Sequence, residues 1–323
     1  MHPHFKGNIT EDLGLVPQMA ALRQAIADWA MKTHPEMHEA MAWQFGGGSK
    51  YFRPLTLFSC HRAMSSTPIA RGLIHAALAV EMVHNVSLII DDIVDKSPTR
   101  RGKATMHQQF GELQAYMVSG YIVADGYEVV CDPASYEPEE FDPGLVRLNV
   151  KLLSELLKRL GVAECMQWRL RRQPLGVEDW RQIAGEDTGS MFEVCACLGT
   201  RSEALRQYGR LLGMVYHGCD DVGDVRGAQA LGGGGVEDVR DGILTLPAAL
   251  AIRNPEIRKV FCKPQPSDAE LALLTRANTD QLDEAEKVLD GIAQQATEQA
   301  LRHARDPGPL VALVEHTRRL SSQ

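Results

Sequence analysis

Positive charge is scarce in this chain, with 34 Lys and Arg against 42 Asp and Glu and a formal net charge of −8. No general basic field is available to hold DNA or RNA, so any phosphate-bearing ligand needs a local device. Paired cysteines are lacking as well. The seven cysteines are odd in number and scattered, and no Cys-x-x-Cys occurs. Cys195 and Cys197 stand two apart on a stretch of helical period, where their side chains diverge. All are expected to be reduced, small core residues. No apolar run reaches the ~18 uninterrupted residues of a spanning helix. The richest, 72–90, is broken by His75, Glu81, His84 and Asn85. Residues 1–7 lack the apolar core of a signal peptide. The expectation is a cytoplasmic protein with no membrane span and no nucleic-acid partner.

What is present is ordinary globular material: 323 residues, 44% hydrophobic and 24% charged. Nearly every long segment carries the 3.6-residue period, and sustained alternation is rare, which predicts an all-α helical bundle. Helices are expected over about 13–33, 36–45, 50–64, 68–95, 103–131, 145–172, 178–198, 202–227, 245–253, 268–275, 279–303 and 308–320. Gly46 to Gly48, residues 131–144, Gly232 to Gly235 and 263–266 punctuate them. None is long enough for a linker, so 1–323 reads as a single domain. Arg169, Arg171 and Arg172 read as a solvated basic face.

The segment 81–111 carries the chemistry. At about 100° per residue, His84, Leu88, Asp91 and Asp95 fall on one helical face, within about 40° of one another. Two carboxylates one turn apart repel each other, and a position near a helix C-terminus adds the unfavourable end of the macrodipole. A cation belongs there, and oxygen-only ligands point to Mg²⁺ held jointly with substrate phosphate. Arg100 and Arg101 follow closely enough to fork onto the same phosphates. The pattern recurs at Asp220, Asp221 and Asp224. One Asp-Asp-x-x-Asp string is weak evidence, but two at the ends of long apolar helices argue for a diphosphate clamped through Mg²⁺ across a bundle cavity.

These residues resemble the trans-isoprenyl diphosphate synthases, or polyprenyl synthetases. The likeness runs from about Gly46 to Leu250 and is densest over 81–111, where His, Ser-Leu-Ile, Asp-Asp-x-x-Asp, Arg-Arg-Gly, His and Phe-Gly fall at the family's intervals. It implies an isoprenoid-synthase-type helical bundle around a central cavity, a homodimer, and about three Mg²⁺ ions per active site. The reaction implied joins isopentenyl diphosphate to an allylic prenyl diphosphate. Asp91, Asp95, Asp220 and Asp224 would hold metal, with Asp92 and Asp221 in support. Lys50, Arg53, His84 and Arg101 would bind isopentenyl diphosphate, while Arg100, Thr188 and His217 would face the allylic side.

The chain also departs from the family pattern, mostly on the allylic side. Asp187 precedes Thr188 where a lysine is usual, and His217 replaces a glutamine. The lysines expected after the second motif are missing from Gly232 to Gly235 and from Gly242-Ile243-Leu244-Thr245. Those losses keep two alternatives open: a terpene cyclase, or a prenyltransferase with another acceptor, on the same fold; and a non-catalytic partner subunit. Intact aspartates oppose the partner subunit, and intact Lys50, Arg53, His84 and Arg101 oppose a cyclase. Small Val86 and Ser87, five and four residues before Asp91, leave room for a chain past C15. Tyr116, Met117 and Tyr121 are the expected deeper floor, giving a C20 product with C25 next.

Overall fold

The computed structural model describes residues 8–47, 49–227 and 235–322; Gly48 and Gly232 to Gly234, in two of the expected punctuation points, lie outside the described residues. Among these residues the regular structure is helical except for a short hairpin, Thr99–Arg100 paired antiparallel with Lys103–Ala104. The chain expected to be one domain packs as two compact units: Met1–Leu157 with Val194–Ala204, and Lys158–Glu193 with Leu205–Gln323.

In the first unit the helix Arg71–Val94 is the core element. It buries residues on every side, including Leu73, Ala77, Val80, Met82 and Ile89, as an all-round apolar helix must. By length and composition it is apolar enough to cross a membrane, so its four polar interruptions do not exclude a span as expected. However, 72% of its apolar window is buried inside the protein. It packs along Glu112–Cys131 and against Val16–Lys32 and Phe52–Met64. Gly199 passes so close to Phe52–Met64 that a Cβ there would stand 2.1 Å from the Leu57 carbonyl oxygen. The single helix expected over 103–131 is interrupted, because Gly111 takes φ 87° between Met106–Phe110 and Glu112–Cys131. Cys60, Cys195 and Cys197 are free and buried, and burial pushes the Cys60 and Cys195 thiols up.

In the second unit the helix Arg206–Arg226 packs along Leu282–His303. The helix expected over 178–198 breaks at Asp187 (ψ −104°) into Val177–Glu186 and Thr188–Thr200. A Cβ on Gly213 would meet the Gly189 Cα at 2.7 Å, and one on Gly218 would meet the Trp180 ring at 3.0 Å. Only glycine lets Thr188 and Trp180 come this near to Arg206–Arg226. An ion network braces the break. Glu193, with its side chain 6% exposed, takes Arg159, Arg206 and Arg210, while Glu186 takes Arg159 at 3.0 Å and Arg210 at 2.8 Å. The Arg172 guanidinium donates to the Phe261, Val239 and Arg240 carbonyls, so it is a brace and not part of a solvated face. Helices Gly235–Asp241 and Pro255–Phe261 were not expected; the second carries an Asn254 cap and a proline in its first turn.

Candidate active site

In the first unit, Asp91 and Asp92 occupy the last turn of Arg71–Val94 and Asp95 caps it, with the Asp95 N–H on the Asp91 carbonyl at 2.9 Å. That turn holds no basic residue, so the acids meet the negative end of the macrodipole. The chain then turns through Arg101 (φ 52°) and Gly102 (φ 76°), two left-handed residues between the paired Arg100 and Lys103. This is the geometry of a type I′ hairpin turn. Arg-Arg-Gly is thus also a turn sequence, with the exposed Arg101 at its tip.

Arg100 does not reach out as expected. Its Nε donates to Asp92 Oδ1 at 2.9 Å, and the Asp92 side chain is 5% exposed. Burial raises the Asp92 carboxyl despite the pull of Arg100. The pair ties the hairpin to the motif helix, which makes Asp92 a support for Arg100.

Arg53 Nη1 lies 3.1 Å from His84 Nε2. A guanidinium can only donate, so Nε2 accepts and the His84 proton sits on Nδ1. Burial, Arg53 and Arg101 push His84 well below its ordinary value, so it is neutral. Nδ1 is buried without a hydrogen-bond partner among the described residues. His84 shares a cleft of about 10 Å³ with Ser49, Tyr51, Glu81, Asn85 and Arg101. Lys50 is exposed beside it in sequence.

Val86 and Ser87 are half-buried, and the Ser87 hydroxyl donates to the His84 carbonyl at 2.9 Å. Tyr121 stands on the neighbouring helix Glu112–Cys131. It lines a different cavity of about 670 Å³ with Trp29, Ile74 and Leu78, and its hydroxyl accepts the His34 N–H at 3.1 Å. Tyr116 and Met117 are exposed.

In the second unit, Asp220, Asp221, Asp224 and His217 line a cavity of about 180 Å³ with Gln167, Asp238 and Thr245. Asp221 plays a different part from Asp220 and Asp224. Its Oδ2 accepts the Trp180 indole N–H and the Leu246 backbone N–H, each at 2.8 Å. It therefore fastens two further helices to Arg206–Arg226.

The two substitutions on the allylic side prove to be partners. His217 Nδ1 stands 3.0 Å from Thr188 Oγ1 and 3.4 Å from Asp187 Oδ2, while the Thr188 hydroxyl donates to Asp187 Oδ2 at 3.2 Å. Its Nε2 is 3.9 Å from Asp221 Oδ1. Burial alone would lower His217, but Asp221 and Asp187 outweigh it and lift the imidazole to about 9. An imidazolium at 217 thus replaces a cation at 187, and Asp187 faces this histidine.

Sequence reasoning missed Glu81, Trp180 and Asp238. Glu81 lies inside the densest motif stretch, whereas Trp180 and Asp238 carry no spacing signal. Among the described residues, no three His, Cys, Asp or Glu side chains are grouped so as to hold one ion by themselves. Donors that are all carboxylate oxygens fit a hard divalent ion completed by substrate phosphate and water.

Comparison with known proteins agrees with this geometry. The polyprenyl synthetase family pattern matches residues 34–275. Geranylgeranyl pyrophosphate synthase 4 of Arabidopsis thaliana is 30% identical over 253 residues, 72% of this chain and 64% of that enzyme. The chain thus spans just under two thirds of that plant relative. Nonaprenyl diphosphate synthase of Mycobacterium tuberculosis is 26% identical, with 95% of each covered. The crystal structure of polyprenyl synthase from Caulobacter crescentus CB15, complexed with calcium and isoprenyl diphosphate, superposes with a TM-score of 0.82 at 24% identity, covering 99% of each chain. This chain belongs to the polyprenyl synthetase family of trans-prenyltransferases.

Proposed function

We propose that this chain condenses isopentenyl diphosphate with an allylic prenyl diphosphate, releasing inorganic diphosphate and a trans-prenyl diphosphate of medium length, C20 with C25 next. The observation that carries this reading is His84. It is neutral, with its Nδ1–H buried and unanswered beside Arg101, and a buried donor without an acceptor costs about 1–3 kcal/mol unless a ligand supplies one. A diphosphate oxygen is such an acceptor. Lys50, Arg53 and Arg101 supply the positive charge that the acidic chain as a whole lacks, and charge-assisted bonds to phosphate are the strong ones. A cyclase has no use for this second diphosphate site.

In this proposal Asp91 and Asp95 would hold divalent metal, as would Asp220 and Asp224, and bound Mg²⁺ would supply charge stabilisation to the departing diphosphate. The residues do the rest. Asp92 holds Arg100 and the hairpin in place, and Asp221 holds the second-motif helix against Trp180 and Leu246. His217, kept protonated by Asp221 and Asp187, brings a cation to the cavity of the second motif. During condensation the allylic carbon–oxygen bond breaks, the isopentenyl double bond forms the new carbon–carbon bond, and one proton leaves. Small Val86 and Ser87 leave space for a chain longer than C15. A homodimer is part of this proposal, since a second copy would cover exposed Leu113, Tyr116 and Met117 on one helix.

Purified protein supplied with Mg²⁺, labelled isopentenyl diphosphate and each allylic diphosphate from C5 to C20 is expected to give labelled prenyl diphosphates centred on C20. A cyclic hydrocarbon, or no labelled product with any partner, would overturn the proposal.

A further inference from the structure

Glu81 stands one helical turn from His84 and Asn85 on Arg71–Val94 and is 2% exposed. Ser49 Oγ donates to its Oε2 at 3.5 Å, while its Oε1 is buried with no hydrogen-bond partner. It lines the same cleft as Tyr51, His84, Asn85 and Arg101. The charges acting on it are Arg53, on the helix Phe52–Met64, and Arg101, on the hairpin tip. Both guanidiniums belong to the proposed isopentenyl diphosphate site.

Stability does not account for this acid. Burial pushes its carboxyl up to about 7 against the pull of Arg53, Arg101 and the Ser49 hydroxyl, so the charged form costs burial and is kept by those partners. A half-satisfied buried carboxylate commonly weighs against folding, and well-packed apolar side chains of like volume do as well or better. What Glu81 does is share a cleft with Arg101, on a turn with a left-handed arginine, and bear negative charge near the guanidiniums of two separate elements. Like charges on Arg53 and Arg101 repel each other, and a nearby carboxylate offsets that repulsion.

We propose that Glu81 is a positioning residue for isopentenyl diphosphate, its buried carboxylate holding Arg53, Arg101 and Ser49 in their binding arrangement before the diphosphate arrives. This rests on the function proposed above. The cleft that Glu81 lines includes none of Asp91, Asp92 and Asp95, so its loss should change capture of one substrate and leave the other unaffected. Pre-arranged donors bind more tightly because less ordering remains for the ligand to impose.

The test uses the full chain with Glu81→Gln, which keeps the shape and removes the charge, and Glu81→Asp, which keeps the charge. Glu81→Gln should raise the KM for isopentenyl diphosphate about tenfold, with kcat and the allylic KM within about threefold of the parent; Glu81→Asp should recover part of the loss. Calorimetry of isopentenyl diphosphate binding without metal should show the same tenfold weakening, independent of turnover. In a double-mutant cycle, Arg101→Ala should cost much less in the Glu81→Gln background than in the parent. An unchanged or lower KM in Glu81→Gln, an equal rise for both substrates, or strict additivity with Arg101→Ala would overturn the proposal. If the parent protein itself bound no isopentenyl diphosphate, the functional reading would fall instead, before any variant was compared.

Discussion

Replacing His217 by Gln, the residue the family pattern leads one to expect there, removes a titration that the structure makes large. The imidazole is lifted from 6.5 to about 9, and at about 1.4 kcal/mol per pH unit that is about 3 kcal/mol of pH-dependent stability. The sign follows from a raised value. The folded protein holds the proton more tightly than the unfolded chain, so the contribution is fully present below pH 6.5 and is lost as pH rises to about 9. The side chain is 17% exposed, so little solvent screening reduces it. In chelator, to keep divalent ions from competing for Asp220 and Asp224, urea titrations at pH 6, 7.5 and 9.5 should show the parent's advantage over His217→Gln shrinking by about 3 kcal/mol across the range. A gap that stays constant or widens with pH, or a His217 ring resonance titrating near 6.5, would refute the pairing with Asp187 and Asp221.

Other substitutions separate roles that the sequence merges. Asp221→Ala should lower stability by about 3–5 kcal/mol, because it strands the Trp180 indole, the Leu246 N–H and the His217 cation; Asp220→Ala should barely move the melt yet lower turnover by orders of magnitude. Asp187→Lys, which restores the lysine usual in the family, should destabilise the protein by setting a cation against His217. The double variant with His217→Gln should recover the stability, as thermal melts would record. Val86→Phe should shift the product toward C15 on chromatography, and an unchanged distribution would remove Val86 from the chain's path.

The legible parts of this protein are those whose signal is local. The period of the helices, the acids of both motifs and the His84 to Asp95 face follow from residue spacing alone, and the structure keeps Asp91 and Asp95 one turn apart. The breaks were less legible, because Gly111 and Asp187 interrupt segments whose apolar period continues through them. The Asp187 break depends on Gly189 and Gly213 touching across two helices, which no single-helix pattern encodes. Partnerships between distant positions were hidden as well. Asp187 and His217 looked like two separate losses, Arg100 like a free hand for substrate, and Asp221 like a spare ligand, until their partners Trp180, Leu246 and Asp92 were in view.

The most direct test of the central claim is inorganic diphosphate release from an allylic diphosphate and Mg²⁺, measured with and without isopentenyl diphosphate. Condensation predicts release only when both substrates are present, one diphosphate for each new isoprene unit, and none after chelation of the metal. Release at the same rate without isopentenyl diphosphate would mean hydrolysis or cyclisation of the allylic substrate, and would contradict the account.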